Sequence, residues 1–173
     1  MRLAKVTVRG FRGYKDAQTL ELGDMTTLIG RNDVGKSTVL EALEIFFNND
    51  VVKLDASDCN VGSEDSLIEI SCTFTDFPDP LVLDAQAETS LADEYLLTAD
   101  GALCIKKVWN CAGARLREDV YVTAQHPNAT LYGDLFGLTN DKLKTRLREL
   151  NIDNTDVNQA SNPSLRAAIW ASR

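Results

Sequence analysis

The chain of 173 residues contains few of the cysteines and histidines that hold zinc modules and small secreted domains together. It has four cysteines, and no two of them show the C-x2–4-C spacing of a zinc knuckle. His126, the only histidine, could complete a ligand set, but Cys72 and Cys104 fall in strand-like alternation, which favours small buried thiols. No stretch approaches the ~18 apolar residues of a membrane span, and no apolar leader follows Met1. We therefore expect a cytoplasmic protein with reduced cysteines and no membrane partner.

Basic residues are nearly missing from the middle of the chain. Residues 51–100 contain one basic and twelve acidic side chains, whereas residues 1–50 contain seven of each, and the formal net charge is −8. Such an acidic block repels phosphate backbones, so a nucleic-acid contact would use the ends of the chain or a partner. With 44% hydrophobic residues and this length, we expect one domain that buries a sizeable core.

Hydrophobic periodicity predicts an α/β chain. Alternating patterns indicate strands at 4–8, 18–22, 67–74, 102–109 and 118–124, and a short apolar run at 25–29 predicts another strand. From Gly35 the period changes to three and four residues, which predicts an amphipathic helix that ends near 48–50. Helices are also expected at 84–92, with Asp84 as its cap, and in the last third, with caps at Asn140 and at Asn162 before Pro163.

One motif indicates chemistry, and it lies between the predicted 25–29 strand and the predicted helix. It fits G-x-x-x-x-G-K-[S/T] and reads Gly30-Arg31-Asn32-Asp33-Val34-Gly35-Lys36-Ser37. In such a loop, glycines let successive backbone N–H groups converge, and the following helix adds its positive end, which together suit two or three phosphates. Lys36 would span the β- and γ-phosphates, and the Ser37 hydroxyl would ligate Mg²⁺. The sequence therefore predicts a P-loop that binds ATP with Mg²⁺.

Two strands precede this loop, and the stretch around them resembles a known family. The stretch runs from Val6-Thr7-Val8-Arg9-Gly10-Phe11-Arg12-Gly13-Tyr14 to the loop and on to Thr38-Val39-Leu40-Glu41-Ala42-Leu43. It resembles the N-terminus of ABC-type ATPase heads of the SMC/RecF/OLD group, and most of all the OLD (overcoming lysogenization defect) family of ATP-dependent endonucleases, which includes the Gabija-type nuclease of antiphage defence. The resemblance covers residues 1–50. Asparagine usually stands where Gly10 does.

The resemblance implies a set of nucleotide-binding residues. In the loop and first helical turn these are Gly30, Asn32, Asp33, Val34, Gly35, Lys36, Ser37 and Thr38. Arg12 is implied to lie near the nucleotide, although a solvated turn arginine is the alternative interpretation. Asn32 and Asp33 would touch the γ-phosphate or only shape the turn. A glutamine at a strand end usually ligates Mg²⁺ in such heads, and Gln125, just after residues 120–124, is the candidate.

The resemblance also implies parts that this sequence does not contain. There is no Ser-Gly-Gly signature, no apolar strand followed by Asp-Glu, and no Asp-x-Asp pair of a Toprim nuclease. We therefore expect residues 1–173 to be the N-terminal lobe of an ABC-type head, with a mixed sheet, antiparallel strands over about 66–124 and a helical segment over about 132–173. The second lobe, the nuclease domain and all catalytic residues would lie elsewhere, and the lobe alone would be inactive.

Two functions follow from this resemblance. The first is an ATP-binding lobe whose ATP binding and hydrolysis regulate DNA cleavage by a separate Toprim domain, with a homodimer of heads, DNA and a second defence-system subunit as partners. The alternative is an ATP-gated DNA-binding or repair head of SMC/RecF type without a nuclease. The basic helix with Lys142, Lys144, Arg146 and Arg148 contacts DNA, contacts a nucleotide-engaged partner head, or forms a solvated face.

Overall fold

A computed structural model describes residues 1–31, 35–48, 51–78, 89–113 and 115–173. The chain divides into two compact units. The sheet unit comprises residues 1–76 and 102–123, and the helical unit comprises residues 77–101 and 124–173. The division is discontinuous because the chain leaves the sheet after its third strand and returns to it for the last two.

The sheet unit is built on five strands. They are β1 (Arg2–Arg9), β2 (Gln18–Glu21), β3 (Leu67–Thr75), β4 (Leu103–Asn110) and β5 (Arg117–Thr123). Their order in the sheet is β2-β1-β3-β4-β5, and every neighbouring pair is antiparallel. Five of the six predicted strands are therefore confirmed within a residue or two, and with the helices they form an α/β fold. The expectation of a mixed sheet is wrong for the strands that the structure describes.

The strand expected at 25–29 does not form, although the structure describes all five residues. Met25 and Ile29 are both 89% exposed. A strand needs a neighbour for its backbone hydrogen bonds, and residues 25–29 pair with neither of the two edge strands, β2 and β5. The apolar composition of residues 25–29 indicates hydrophobicity but no pairing strand, so the prediction was wrong.

One face of the sheet is covered by helix α1 (Lys36–Phe46), which packs against β1 and β3. The covered face includes every second residue of these two strands, namely Val6 and Val8 in β1 and Ile68, Ile70, Cys72 and Phe74 in β3. Helix α1 contributes Ala42, Ile45 and Phe46, and the Phe46 and Phe74 ring centroids are 6.4 Å apart. Each large apolar side chain buried here stabilises the unit by about 1.5–3 kcal/mol. A 3₁₀ helix at Ala56–Asp58 precedes β3.

The helical unit has its own core. It contains a 3₁₀ helix (Leu135–Gly137), α2 (Asn140–Glu149) and α3 (Asn162–Ala171). Their buried side chains form one cluster: Leu135, Leu143, Leu147, Leu165, Ile169 and Trp170. Among the residues that the structure describes, no helix is long and apolar enough to span a membrane.

The two predicted asparagine caps are each wrong by one residue. Thr139 is the N-cap of α2, and Ser161 is the N-cap of α3, where its hydroxyl accepts a hydrogen bond from the Ser164 N–H at 3.3 Å. Asn140 instead donates to the Asn162 side chain at 2.9 Å, which ties the starts of the two helices together. Residues 84–88 of the helix predicted at 84–92, including its cap Asp84, lie outside the described residues. Residues 89–92 are described and are not helical.

Candidate functional site

Helix α1 begins at the end of the predicted P-loop. Gly35 is its N-cap, with φ of +87°, a conformation that residues with a Cβ rarely adopt. Lys36 is the first helical residue, and Ser37 and Thr38 complete the first turn. The N–H groups of this turn have no acceptor within the helix, and the turn carries no acidic side chain. Asn32, Asp33 and Val34 lie outside the described residues.

The Lys36 ammonium folds back over the loop that precedes it. Its Nζ donates to the carbonyl oxygens of Gly30 at 2.8 Å and Arg31 at 2.5 Å. An ammonium has three donors and a full charge, and carbonyl dipoles compensate that charge only in part. Lys36 is therefore held at the loop in a form that can exchange its carbonyl partners for phosphate oxygens.

Tyr14 packs directly on Gly35. Its hydroxyl donates to the Gly35 carbonyl oxygen at 3.1 Å. A Cβ placed on Gly35 would lie 2.6 Å from the Tyr14 hydroxyl oxygen and 2.9 Å from Cζ, closer than real Cβ contacts. The φ of position 35 thus favours glycine, and a larger residue there would also have to displace the end of the Tyr14 side chain.

A cavity of about 330 Å³ opens next to Lys36 on the side of β1 and β2. Its wall is mostly apolar, with a few hydroxyls and the Lys36 side chain. The lining residues are Val6, Val8, Tyr14, Gln18, Thr19, Leu20, Thr27, Leu28, Ile29, Lys36 and Val39. The cavity places a half-open concave space beside Lys36, of a size that can hold a small ligand.

Arg12 is not a solvated turn residue. Its Nε donates to Asp58 at 2.9 Å, its Nη1 donates to Glu41 of α1, and its guanidinium lies 5.0 Å from the Phe11 ring centroid. The hydrogen bond to Asp58 is the main cause that raises the pKa of Arg12. Arg12 therefore links the β1–β2 loop, the 3₁₀ helix before β3 and α1, and its contact with a nucleotide stays a prediction.

Gln125 belongs to the helical unit, two residues after β5 ends. Its side chain is exposed, and its backbone N–H donates to the Leu97 carbonyl at 2.9 Å. Its role as a Mg²⁺ ligand stays a prediction. Over the described part of the chain, no group of three or more histidine, cysteine or acidic side chains could hold a metal ion.

Sequence reasoning missed the residues that surround the motif. Tyr14 stands in the stretch that carries the resemblance, but no spacing rule marks a tyrosine as a neighbour of Gly35. Asp58 and Glu41 contact Arg12 from 46 and 29 residues away, so only folding brings them together. The acidic composition of 51–100 was the one signal that carboxylates were available to the N-terminal arginines.

Comparison with known proteins gives the family. A family model described as the AAA ATPase domain matches residues 1–172. An uncharacterized protein of Methanocaldococcus jannaschii, MJECL44, is 44% identical over 46 residues, which is 27% of this chain and only 14% of that protein. The match to the AAA ATPase domain agrees with the P-loop ATPase family that the motif predicts, and it supports ATP binding. The chain belongs to the AAA ATPase domain family, a family of P-loop ATPases.

Proposed function

We propose that this chain binds MgATP through residues 30–38 and is the ATP-binding lobe of an OLD-type ATP-dependent endonuclease. In the whole protein, ATP binding and hydrolysis would regulate DNA cleavage by a separate Toprim domain, in antiphage defence. The observation that carries the ATP site is Lys36, which opens α1 directly after the left-handed Gly35 and spans the loop carbonyls. The OLD assignment rests on the resemblance over residues 1–50.

The residues present fit a nucleotide with its metal. The donor set is an ammonium at Lys36, a hydroxyl at Ser37, and the first-turn N–H groups that lack helical acceptors. Lys36 would bind the β- and γ-phosphates, Ser37 would hold Mg²⁺, and Gly35 leaves room for the backbone to approach. Bound Mg²⁺ would supply charge neutralisation on the phosphates. Gly30, Asn32, Asp33, Val34 and Thr38 stay predicted members of the site.

Binding has a defined local cost in this chain. Two charge-assisted hydrogen bonds from Lys36 to loop carbonyls must be exchanged for bonds to phosphate oxygens. Neither a Walker B pair nor a signature loop is found in the sequence, so Ser37 would hold the metal with little help. We therefore expect weak binding of MgATP by residues 1–173 and no steady hydrolysis.

The test is calorimetric titration of the 173-residue chain with MgATP, with Lys36→Ala as the variant. Loss of one charge-assisted contact costs about 1.5–3 kcal/mol, so affinity should fall by about ten- to a hundredfold. Lys142→Ala, which removes an exposed lysine from α2, is the matched control and should bind as the unmodified chain does. Equal affinity for Lys36→Ala and the control would refute the site.

The parent protein tests the remaining parts of the proposal. The chain matches only a small share of its relative, so a homodimer of heads, DNA and a second defence-system subunit are proposals for the whole protein. Lys36→Ala in the parent should remove ATP hydrolysis and its control over plasmid cleavage. An Asp-x-Asp pair elsewhere in the parent favours the nuclease, whereas long heptad repeats without it favour the SMC/RecF-type head.

A further inference from the structure

We infer that Tyr14 is a positioning residue of the phosphate site, which fixes the Gly35 peptide so that the first N–H groups of α1 face the phosphates. The inference rests on the proposed ATP site and deepens it. It stands on the 3.1 Å hydrogen bond from the Tyr14 hydroxyl to the Gly35 carbonyl and on the close packing of the ring against Gly35.

The Gly35 carbonyl oxygen receives two donors. One is the Tyr14 hydroxyl, and the other is the Val39 N–H at 3.1 Å, which is the first hydrogen bond of α1. In a planar trans peptide the carbonyl and the following N–H point in opposite directions. Holding the Gly35 carbonyl toward Tyr14 and the helix therefore turns the Lys36 N–H outward, toward the loop where an anion would bind.

Tyr14 can act as a support because its own turn is held firmly. Phe11 and Tyr14 exchange backbone hydrogen bonds at 2.9 and 3.2 Å, and the Phe11 ring is fully buried. On the other side of the turn, the Arg12 N–H donates to the Asp58 carbonyl at 2.7 Å, and the Asn60 side chain donates to the Arg12 carbonyl. The hydroxyl is thus attached through a short, anchored turn to the core of the sheet unit.

The anchoring matters because glycine at position 35 has no side chain of its own to restrain it. A residue with free φ and a single helical hydrogen bond samples other peptide orientations. The second donor from Tyr14 removes some of those orientations before any ligand binds, which lowers the cost of ordering the site. Tyr14 also lines the cavity beside Lys36, so direct contact with the nucleoside is the competing interpretation.

The experiment compares Tyr14→Phe with the unmodified 173-residue chain in binding of MgATP and of inorganic tripolyphosphate, well below the thermal midpoints of both. Phenylalanine keeps the ring and removes one hydroxyl. Because the support acts on the phosphate cradle, affinity for both ligands should fall by the same factor, about fivefold. Tyr121→Phe is the matched control, since it removes the hydroxyl of an exposed tyrosine in β5, three strands away from β1.

A second measurement does not need a ligand. Amide hydrogen exchange at Val39, whose N–H bonds to the Gly35 carbonyl, should speed up in Tyr14→Phe, while exchange in β3 stays the same. A fall in ATP affinity without a fall in tripolyphosphate affinity would assign Tyr14 to the nucleoside and overturn the inference. Unchanged binding of both ligands would overturn it while leaving the ATP site standing. Absence of binding by the unmodified chain would overturn the ATP site and the inference together.

Discussion

Gly10 stands where the ATPase heads that residues 1–50 resemble usually have asparagine, and the structure makes this difference testable. Gly10 has φ of +67°, and a Cβ built on it would lie 1.9 Å from the Leu67 carbonyl oxygen and 3.1 Å from the Leu67 carbonyl carbon. Its own carbonyl accepts the Asn60 N–H at 2.8 Å. A side chain at this position therefore collides with the backbone at the start of β3.

The magnitude follows from two separable terms. A left-handed conformation costs a residue with a Cβ roughly 1–2 kcal/mol, and overpacking against a backbone adds about 1–3 kcal/mol. Gly10→Ala should thus lower the free energy of unfolding of the sheet unit by about 2–5 kcal/mol. Asparagine tolerates the left-handed region, so Gly10→Asn should escape most of the first term and still lose about 1–3 kcal/mol.

Two other glycines supply matched controls. Gly101 has φ of +71° with nothing within 4 Å of its Cβ position, so Gly101→Ala measures conformational strain alone, about 1–2 kcal/mol. Gly13 has neither a positive φ nor a close neighbour, so Gly13→Ala should change stability by no more than about 0.5 kcal/mol or stabilise slightly.

The assay is urea unfolding in two single-tryptophan backgrounds. Trp109 lies buried in β4 and reports on the sheet unit, while Trp170 lies in α3 and reports on the helical unit, where Gly101 belongs. A loss for Gly10→Ala no larger than that for Gly101→Ala would show that β3 moves away at no cost, and the collision argument would fail.

Two further predictions concern buried groups. Burial raises the pKa of the Cys72 thiol to about 12 from 9.0, so the stability that the neutral thiol contributes should be complete below pH 9 and disappear as the pH rises toward 12. Cys72→Val should remove this part of the alkaline loss of stability in urea unfolding, and iodoacetamide at about pH 8 should leave the buried Cys72 unmodified until the chain unfolds. Glu94, which is 2% exposed, accepts two hydrogen bonds from Arg166 at 2.8 and 2.9 Å. Glu94→Ala should therefore lower the free energy of unfolding of the helical unit, measured by Trp170 fluorescence, by about 3–5 kcal/mol, and the double variant with Arg166→Met should recover much of this loss. A loss below about 1 kcal/mol would contradict the burial of this pair.

Local periodicity was enough to predict β1, β3, β4, β5 and α1, because alternation and helical spacing are properties of consecutive residues. The caps show where local information ends. Thr139-Asn140 and Ser161-Asn162 each contain two good capping residues in a row, so propensity alone cannot choose between them. In the structure the two asparagine side chains bond to each other instead, a contact that exists only after α2 and α3 have met.

The candidate site shows the same limit. The spacing of glycines, lysine and serine predicts the loop, because that chemistry depends on neighbours in sequence. The contact between Tyr14 and Gly35 cannot be predicted in this way, since the two residues lie 21 positions apart in the sequence. The 25–29 run was misjudged for a related reason, because apolar composition shows that a segment favours burial but not which strand pairs with it.

The distribution of charge along the sequence also predicted something about the fold. The counts of charged residues gave an acidic block at residues 51–100 beside a neutral N-terminal third. In the fold the block pairs with the arginines of β1 and the turn that follows, as Arg2–Asp76, Arg9–Asp65, Arg9–Glu69 and Arg12–Asp58. The Arg9 guanidinium lowers the pKa of Asp65 to about 2, so that pair persists across the physiological range. The acidic residues thus neutralise the arginines that would otherwise compete for a phosphate. Lys36 differs from them, because its ammonium bonds to two carbonyl oxygens, so an anion at the loop can still neutralise its charge.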